Sequence, residues 1–166
     1  MDIAKFRATA ARKKKSLTAF IIKMDEIVPH DLPELVERLD AEVWKEVDCT
    51  SCANCCKKMT PTFTAADVKR IATHLHMSPK SFREKWLKKE DGSKDWVNTT
   101  QSCQFLEDNK CSIYEVRPAD CAEFPHHNKT PFDAYNETFK NNLIHCPATL
   151  MLIDRMKKVV EKEYEW

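Results

Sequence analysis

The chain has 166 residues, of which 42% are hydrophobic, with a formal net charge of +1 and a single glycine. This charge gives no overall field that would attract nucleic acid or an acidic membrane surface, and no apolar run approaches the roughly 20 residues of a transmembrane helix. A sheet-rich fold with tight hairpins needs more glycine, because those turns require positive φ angles. The composition therefore favours a mainly helical protein without a membrane span.

Apolar residues recur at helical spacing along much of the chain. Thr64 and Asp67 form a capping pair, and Ser78-Pro79 marks a second helix start. Gly92 stands where the C-terminal cap of the helix that follows Ser78 is expected. The pattern predicts helices over residues 2–27, 32–47, 64–76, 78–91, 133–143 and from 147 onwards.

Residues 95–114 are short, alternating and rich in residues that favour strands. The polar segment 107–110 predicts a turn. We expect one minor β-hairpin here, with Cys103 and Cys111 near its two ends. A short helical turn after the hairpin holds Cys121.

Cysteine is the most informative residue type in the chain. Four cysteines lie within residues 49–56 in the pattern C-x2-C-x2-C-C, and four more follow at wider spacing. Thiolates are soft ligands that suit zinc and iron–sulfur clusters, and the C-x2-C spacing lets two sulfurs from one turn meet at one ion. The predicted metal ligands are Cys49, Cys52, Cys55, Cys56, Cys103, Cys111, Cys121 and Cys146.

The alternative is a disulfide framework, which needs an oxidising compartment. Residues 1–7 mix charged and apolar side chains and do not resemble a secretory signal. Cys55 and Cys56 are adjacent, so each would need its own disulfide partner elsewhere. We therefore expect a reduced, cytoplasmic protein that binds metal through its cysteines.

The spacing alone leaves both the metal and the number of centres open. A C-x2-C-x2-C run with a remote fourth cysteine is typical of iron–sulfur ligation and favours it here, whereas zinc also accepts C-x2-C pairs. Two four-ligand centres, one polynuclear centre and spare cysteines are all compatible with eight thiols. We expect all eight to converge on one region.

The sequence gives weaker support for a role of other side chains near the cysteines in the metal site. Three histidines could ligate metal, although eight thiols require none of them: His126, His127 and His145. Four cations next to predicted ligands either offset the negative charge of thiolates or are ordinary surface residues: Lys57, Lys58, Lys110 and Arg117. The sequence identifies no general acid, general base or phosphate-binding loop, and it leaves the protein partner unknown.

The complete cysteine pattern resembles the YkgJ-type cysteine-cluster family, the zinc- or iron-chelating domain proteins with a CxxCxxCC signature. The resemblance covers about residues 49–147 and rests on C-x2-C-x2-C-C, C-Q-F-L, K-C-S-I-Y-E-V-R-P-A-D-C-A-E-F-P and C-P. It implies metal chelation by these cysteines. Members often have glycine in the first cluster, where this chain has Ala53-Asn54, and we expect Asn54 to tolerate a left-handed turn.

A related branch includes flagellin lysine methylase, which resembles an iron–sulfur enzyme. The alternative function is therefore an iron–sulfur-dependent enzyme for redox or methyl-transfer chemistry, although this chain is much shorter than such enzymes. We expect one domain in three parts: N-terminal helices over 1–48, the metal-binding region over 49–147 and a C-terminal helix over 148–166.

The sequence also predicts how the protein responds to metal removal. Residues 95–125 have little apolar periodicity, and a two-stranded hairpin alone is barely stable in water. Structural zinc contributes on the order of 10–16 kcal/mol in small peptide sites. A chelator under reducing conditions should therefore leave much of the helical circular dichroism signal, while amides of 95–125 lose protection from hydrogen exchange. Full protection of 95–125 in the stripped protein would contradict this prediction.

Overall fold

The computed structural model describes residues 2–89 and 92–164. Helices form most of it, so the predicted mainly-α fold is confirmed. The helices are α1 Ile3–Met24, α2 Leu32–Trp44, α3 Cys49–Cys52, α4 Asn54–Lys58, α5 Ala65–His74, α6 Pro79–Trp86, α7 Ala119–Glu123, α8 Asn136–Asn142 and α9 Pro147–Glu163. The strands are β1 Thr62–Phe63, β2 Leu87–Lys89, β3 Trp96–Asn98, β4 Leu106–Glu107 and β5 Lys110–Cys111.

The chain divides into two compact units. We call residues 1–52 and 125–166 the terminal unit, and residues 53–124 the middle unit. That the whole chain forms one domain stays a prediction. None of the helices within residues 2–89 and 92–164 combines the length and the apolar character that crossing a membrane requires.

The terminal unit is a helical assembly in which α9 packs against α1, α2 and α8. Each helix buries one apolar stripe, as its periodicity predicts. Lys13 and Asp154 join α1 to α9 through an ion pair of 2.6 Å. The largest fully buried side chains of this unit are Leu17, Ile21, Met24, Val43, Phe139, Leu143, Leu152, Ile153 and Met156.

The middle unit combines α5 and α6 with two small antiparallel sheets. One sheet has the strand order β1-β3-β2, and the other is the β4-β5 hairpin, in which Leu106 pairs with Cys111. The predicted turn of this hairpin is present, and Asp108 and Asn109 adopt the positive φ angles that such a tight turn requires. Phe82 is fully buried and stacks on Phe105 with ring centroids 6.1 Å apart.

The end of α6 and the three-stranded sheet both differ from the sequence prediction. Helix α6 ends at Trp86, and the chain continues directly into β2 instead of reaching a glycine cap. The positive φ of Gly92 therefore belongs to the connection between β2 and β3. The three-stranded sheet is also additional to the predicted hairpin. Its strands have only two or three residues, which is too short for a period-2 pattern to be recognised.

A core substitution tests the packing of the terminal unit. Leu152 is fully buried in α9, so Leu152→Ala should lower the free energy of unfolding by about 2–5 kcal/mol through lost burial and the cavity left behind. Ile22→Ala is the matched control, because Ile22 is exposed on α1 and its truncation should change the free energy by less than about 0.5 kcal/mol. Urea denaturation of the two variants measures both. Equal effects would contradict the assigned core.

Candidate metal centre

The first cysteine cluster forms two short helices. Cys49 and Cys52 are the ends of α3, and Cys55 and Cys56 lie within α4. Between them, Ala53 adopts a left-handed conformation with φ 49°. The expectation that Asn54 takes the left-handed turn is therefore wrong. The left-handed conformation costs a residue with a Cβ atom about 1–2 kcal/mol in conformational free energy. Alanine has the smallest side chain among the residues that carry this cost.

Backbone hydrogen bonds bring two later cysteines to this cluster within the middle unit. The amide of Cys103 donates to the carbonyl of Cys56 over 2.9 Å. The Leu106 amide then donates to the Cys103 carbonyl over 3.1 Å. Because Leu106 pairs with Cys111 across the hairpin, Cys56, Cys103 and Cys111 belong to one neighbourhood. Antiparallel pairing thus gathers these ligands, as the sequence predicts for Cys103 and Cys111.

A buried carboxylate fixes the helix that carries the last cysteine of this unit. Asp67 is 1% exposed, and its Oδ1 accepts a hydrogen bond of 3.1 Å from the Ala119 amide at the start of α7. The Asp120 carboxylate accepts one of 2.9 Å from the Thr62 amide in β1. Asp67 and Asp120 together fix the position of α7 and therefore of Cys121.

The capping box of α5 explains how Asp67 is held in place. Asp67 Oδ2 accepts from the amide and the hydroxyl of Thr64, and Thr64 Oγ1 accepts from the Asp67 amide. Arg70 bridges Asp67 Oδ1 and the carbonyl of Arg117. The sequence reveals the local capping pair through its spacing. It does not reveal the contact to α7, because that contact depends on the tertiary fold.

The Cys56 thiol differs in acidity from the cysteines around it. Its sulfur lies 4.0 Å from that of Cys55. The hydrogen bond from Cys55 lowers the pKa of Cys56 to about 7, with help from the charge of Lys57 and against the effect of burial. Cys56 is therefore substantially a thiolate near neutral pH, and thiolates are the metal-binding form of cysteine.

The other three cysteines of this group have raised pKa values. Burial is the largest cause for each, and the negative charge of Cys56 adds to it. Cys103 and Cys111 also pack against the apolar cluster around Phe82. Their mutual electrostatic effects place four sulfurs in one neighbourhood of the middle unit: Cys56, Cys103, Cys111 and Cys121.

Backbone amides act on two of these sulfurs. The amide of Phe105 lowers the pKa of Cys103, and the amide of Ile113 lowers that of Cys111, each against the larger effect of burial. In both cases the donor lies two residues after the cysteine. Donors placed in this way stabilise thiolate over thiol.

Asn98 supplies a further donor that the sequence analysis does not identify. Its side chain is buried, and its Oδ1 accepts a hydrogen bond of 3.0 Å from Gln104 Nε2. Its Nδ2 group makes no hydrogen bond of normal geometry, yet it lowers the pKa of Cys103. A buried amide donor near a sulfur favours the thiolate form, and thiolate sulfurs are the ligands that suit zinc and iron–sulfur clusters.

The terminal unit contains three of the predicted ligands. Cys49 is exposed, Cys52 is half-buried, and Cys146 is buried as the N-cap residue of α9. Burial raises the pKa of Cys146 to about 11, and the negative charge of Cys49 adds to this rise. Hydrogen-bond donors of Thr149 and Ala148 act in the opposite direction. Cys49 and Cys146 thus influence each other.

The three histidine candidates have different surroundings. His127 is 3% exposed, with Nδ1 2.7 Å from Asp40 Oδ1 and Nε2 2.9 Å from Thr149 Oγ1. Because both ring nitrogens are engaged, His127 is not open to a metal. His126 stacks on Tyr135 with ring centroids 6.1 Å apart, and His145 lies between α8 and α9 along the chain.

None of the eight cysteines, all of which lie among the described residues, forms a disulfide in this structure. Among residues 2–89 and 92–164, no three Cys, His, Asp or Glu side chains are arranged to hold a metal ion as they stand. That all eight converge on one region stays a prediction. Of the four predicted cations, Lys57 and Arg117 act on Cys56 and Cys111 respectively, whereas Lys58 and Lys110 are exposed.

The Asp67 clamp generates a prediction about stability and pH. Burial alone would raise the pKa of Asp67, but hydrogen bonds from Thr64, Arg70 and Ala119 outweigh it and lower the pKa. The stabilisation is therefore complete above the unfolded-state pKa of about 3.9 and is lost as the pH falls through the lower folded-state value. Asp67→Asn should cost on the order of 3 kcal/mol at pH 7.

Urea denaturation of wild type and Asp67→Asn between pH 7 and pH 3 measures this effect. The difference between the two should shrink on acidification, because the wild-type carboxylate becomes protonated. Glu107→Gln is the control, since Glu107 is an exposed carboxylate in the same unit. A difference that stays constant down to pH 3 would show that the charge of Asp67 does not stabilise the fold.

Comparisons with known proteins identify the family. The CxxCxxCC family model, "Putative zinc- or iron-chelating domain", matches residues 48–146, which is more than half of the chain. Neither a curated protein nor a solved structure matches. The match includes every predicted cysteine ligand and confirms the resemblance found in the sequence. The chain belongs to the CxxCxxCC family of zinc- or iron-chelating domains.

Proposed function

We propose that the chain binds zinc or iron through its cysteines, and that Cys56, Cys103, Cys111 and Cys121 form a four-thiolate centre in the middle unit. The observation that carries this proposal is the convergence of four separate chain segments. The Cys56–Cys103 backbone hydrogen bond, the β4-β5 hairpin and the Asp67 clamp on α7 produce that convergence. Four sulfurs match the coordination number of structural zinc and of an iron–sulfur cluster.

The protein residues supply the electrostatic conditions for thiolate binding. Cys56 has the lowest pKa of the four thiols, so it can bind a metal ion without a large free-energy cost for losing its proton. The Phe105 amide and the Asn98 side chain stabilise charge on Cys103, and the Ile113 amide stabilises charge on Cys111. Lys57 and Arg117 offset part of the negative charge. A bound ion would supply a cross-link between the segments, and a bound iron–sulfur cluster would also supply one-electron redox chemistry.

Cys49, Cys52, Cys55 and Cys146 are the remaining proposed ligands. Cys55 borders the four-thiolate group, and the other three belong to the terminal unit. Their number permits a second centre or additional ligands to a polynuclear one, and the metal content per chain distinguishes these arrangements.

We favour an iron–sulfur cluster over zinc because of the C-x2-C-x2-C run, and we propose a cytoplasmic location because thiols persist in reducing compartments. The role is that of a metal-binding module. An iron–sulfur-dependent enzyme is the alternative. It requires a coordination position open to a substrate, whereas a closed shell of thiolates favours the module.

The test is anaerobic purification followed by counting of zinc, iron and sulfide and by an absorption spectrum. Wild type should contain stoichiometric metal, with broad visible absorption if the metal is an iron–sulfur cluster and none if it is zinc. Serine at Cys56, Cys103, Cys111 or Cys121 should weaken binding roughly 100-fold, taking about 3 kcal/mol per ligand from the free energy of a four-ligand site.

Lys110→Ala is the matched control, because Lys110 is exposed and adjoins Cys111 without supplying a ligand. It should keep the metal content of wild type. Metal-free wild-type protein, or full metal content in all four serine variants, would overturn the proposed centre. A serine variant that loses metal but keeps the far-ultraviolet circular dichroism spectrum of wild type would show that the loss comes from the missing ligand and not from unfolding.

A further inference from the structure

Helix α1 is strongly basic, although the chain as a whole is nearly neutral. Residues 3–24 contain seven lysines and arginines and no aspartate or glutamate. Because the whole chain has a formal net charge of +1 and α1 contributes +7, the residues outside α1 together carry −6. Charge asymmetry of this kind is typical of proteins that bind nucleic acid or an acidic surface. The seven cations are Lys5, Arg7, Arg12, Lys13, Lys14, Lys15 and Lys23.

The packing of α1 leaves most of this charge in contact with solvent. The apolar side of the helix is buried against α8 and α9, and Lys13 is paired with Asp154 of α9 over 2.6 Å. Five cations are exposed and form no ion pair with any residue in the described ranges 2–89 and 92–164: Lys5, Arg7, Arg12, Lys14 and Lys15. Their charges therefore remain available to an anionic partner.

Four of the exposed cations form two rows along the helix. Arg7 and Lys14 lie seven residues apart on one side of the exposed face, and Lys5 and Arg12 lie seven residues apart on the other side. Seven residues correspond to about 10.5 Å along the helix axis. The exposed face of α1 is thus a ridge with positive charge on both flanks.

The strip between the two rows consists mainly of alanine. Ala4, Ala8, Ala11 and Ala19 recur at helical spacing on the exposed face, and Lys15 lies among them. Because alanine side chains are short, a partner can approach the helix backbone closely along this strip. The longer cations of the two rows then reach past the strip on either side of the partner's surface.

This arrangement favours double-stranded DNA over other nucleic acids. The major groove of B-DNA is about 12 Å wide and admits an α-helix, and phosphates line both of its edges. The major groove of an RNA duplex is too narrow for the same contact. Single strands are bound largely by stacking of bases on aromatic side chains, and the exposed positions of residues 3–24 include no aromatic side chain.

An acidic membrane and an acidic protein helix fit this face less well. A helix that lies on a membrane inserts large apolar side chains, but Phe6, Leu17 and Phe20 are buried in the fold, and within residues 3–24 only Ile22 is an exposed large apolar side chain. A protein helix packed on the alanine strip would bury the charge of Lys15, which is unfavourable. A polyanion instead benefits from a positive charge at the centre of the strip.

We propose that the exposed face of α1 binds duplex DNA by lying in the major groove, with its two rows of cations on the phosphates of the two strands. Phosphate contacts carry no sequence information directly, so this binding depends little on base sequence. The proposal is independent of the metal centre, because α1 contains none of the proposed ligands.

Fluorescence anisotropy of the full-length protein with a labelled duplex of about 20 base pairs tests the proposal. Wild type should bind with a Kd of roughly 10⁻⁶–10⁻⁴ M at physiological salt, and five phosphate contacts predict a slope of about −4.5 for log K against log salt. Removal of one row by Arg7→Ala with Lys14→Ala should reduce the slope by about 2. It should also weaken binding at least about tenfold at roughly 50 mM salt. Lys5→Ala with Arg12→Ala removes the other row and should have the same effect.

Two matched controls separate this surface from non-specific effects of charge and bulk. Lys88→Ala with Lys110→Ala makes the same change in net charge at exposed positions of the middle unit, and it should change the affinity by less than about twofold. Ala11→Leu keeps the charge but adds bulk to the strip, and it should weaken DNA binding at least about tenfold because the helix can no longer enter the groove closely. Ala66→Leu, at an exposed position of α5, should leave binding unchanged.

Each contrary outcome overturns a stated part of the proposal. Absence of binding by wild type, or equal weakening by the row variants and the charge control, would show that α1 is not the binding surface. Unchanged binding by Ala11→Leu would exclude the placement in the groove. An RNA duplex of the same sequence, or phosphatidylserine vesicles, bound as tightly as the DNA would exclude DNA as the preferred partner. Circular dichroism checks that the variants, all at exposed positions, keep the fold.

Discussion

The hydrogen bond from the Cys103 amide to the Cys56 carbonyl is the contact on which the candidate centre depends. The first cluster alone offers cysteines from one local segment, and short helices such as α4 are not stable in isolation. This hydrogen bond attaches α4 to the segment that leads into the β4-β5 hairpin, so that the pairing of Leu106 with Cys111 delivers a further sulfur. Asp67 then fixes α7 and adds Cys121. Hydrogen bonds of the backbone thus position each of these later cysteines, and in the case of α7 the Asp67 carboxylate accepts the hydrogen bond.

Placement of these sulfurs in one small neighbourhood has an electrostatic consequence. Burial raises the pKa of Cys103, Cys111 and Cys121, and each thiolate formed raises the pKa of its neighbours. Amide donors and the charges of Lys57 and Arg117 lower these pKa values, but they offset only part of the rise. A fold without a cation would therefore keep most of these groups as neutral thiols. Four partly buried thiolates repel one another when no cation is present, but they are favourable ligands for a metal ion. Metal binding therefore explains the clustering of these four cysteines better than core packing does.

The sequence predicts features that depend on near neighbours. The Thr64–Asp67 capping box, the start of α9 after Cys146 and the turn at 107–110 all follow from residues within a few positions of one another. Features that depend on tertiary contacts are not predictable in this way. For example, no residue near His127 in the sequence indicates that its ring nitrogens contact Asp40 and Thr149. The left-handed residue is Ala53 instead of Asn54, because the connection between two helices sets the backbone there, overriding intrinsic preference.

The two units differ in how much a metal can contribute to their stability. The terminal unit buries long apolar stripes of α1, α2 and α9, and packing of amphipathic faces is the main source of helix stability in proteins. The middle unit has one apolar cluster around Phe82, strands of two or three residues and short helices. Chains of about 70–80 residues rarely gain more than about 3–5 kcal/mol from a single core, and natural examples add metals or disulfides. Because its cysteines form no disulfides and the family chelates zinc or iron, the metal centre proposed above is the cross-link that would add stability to this unit.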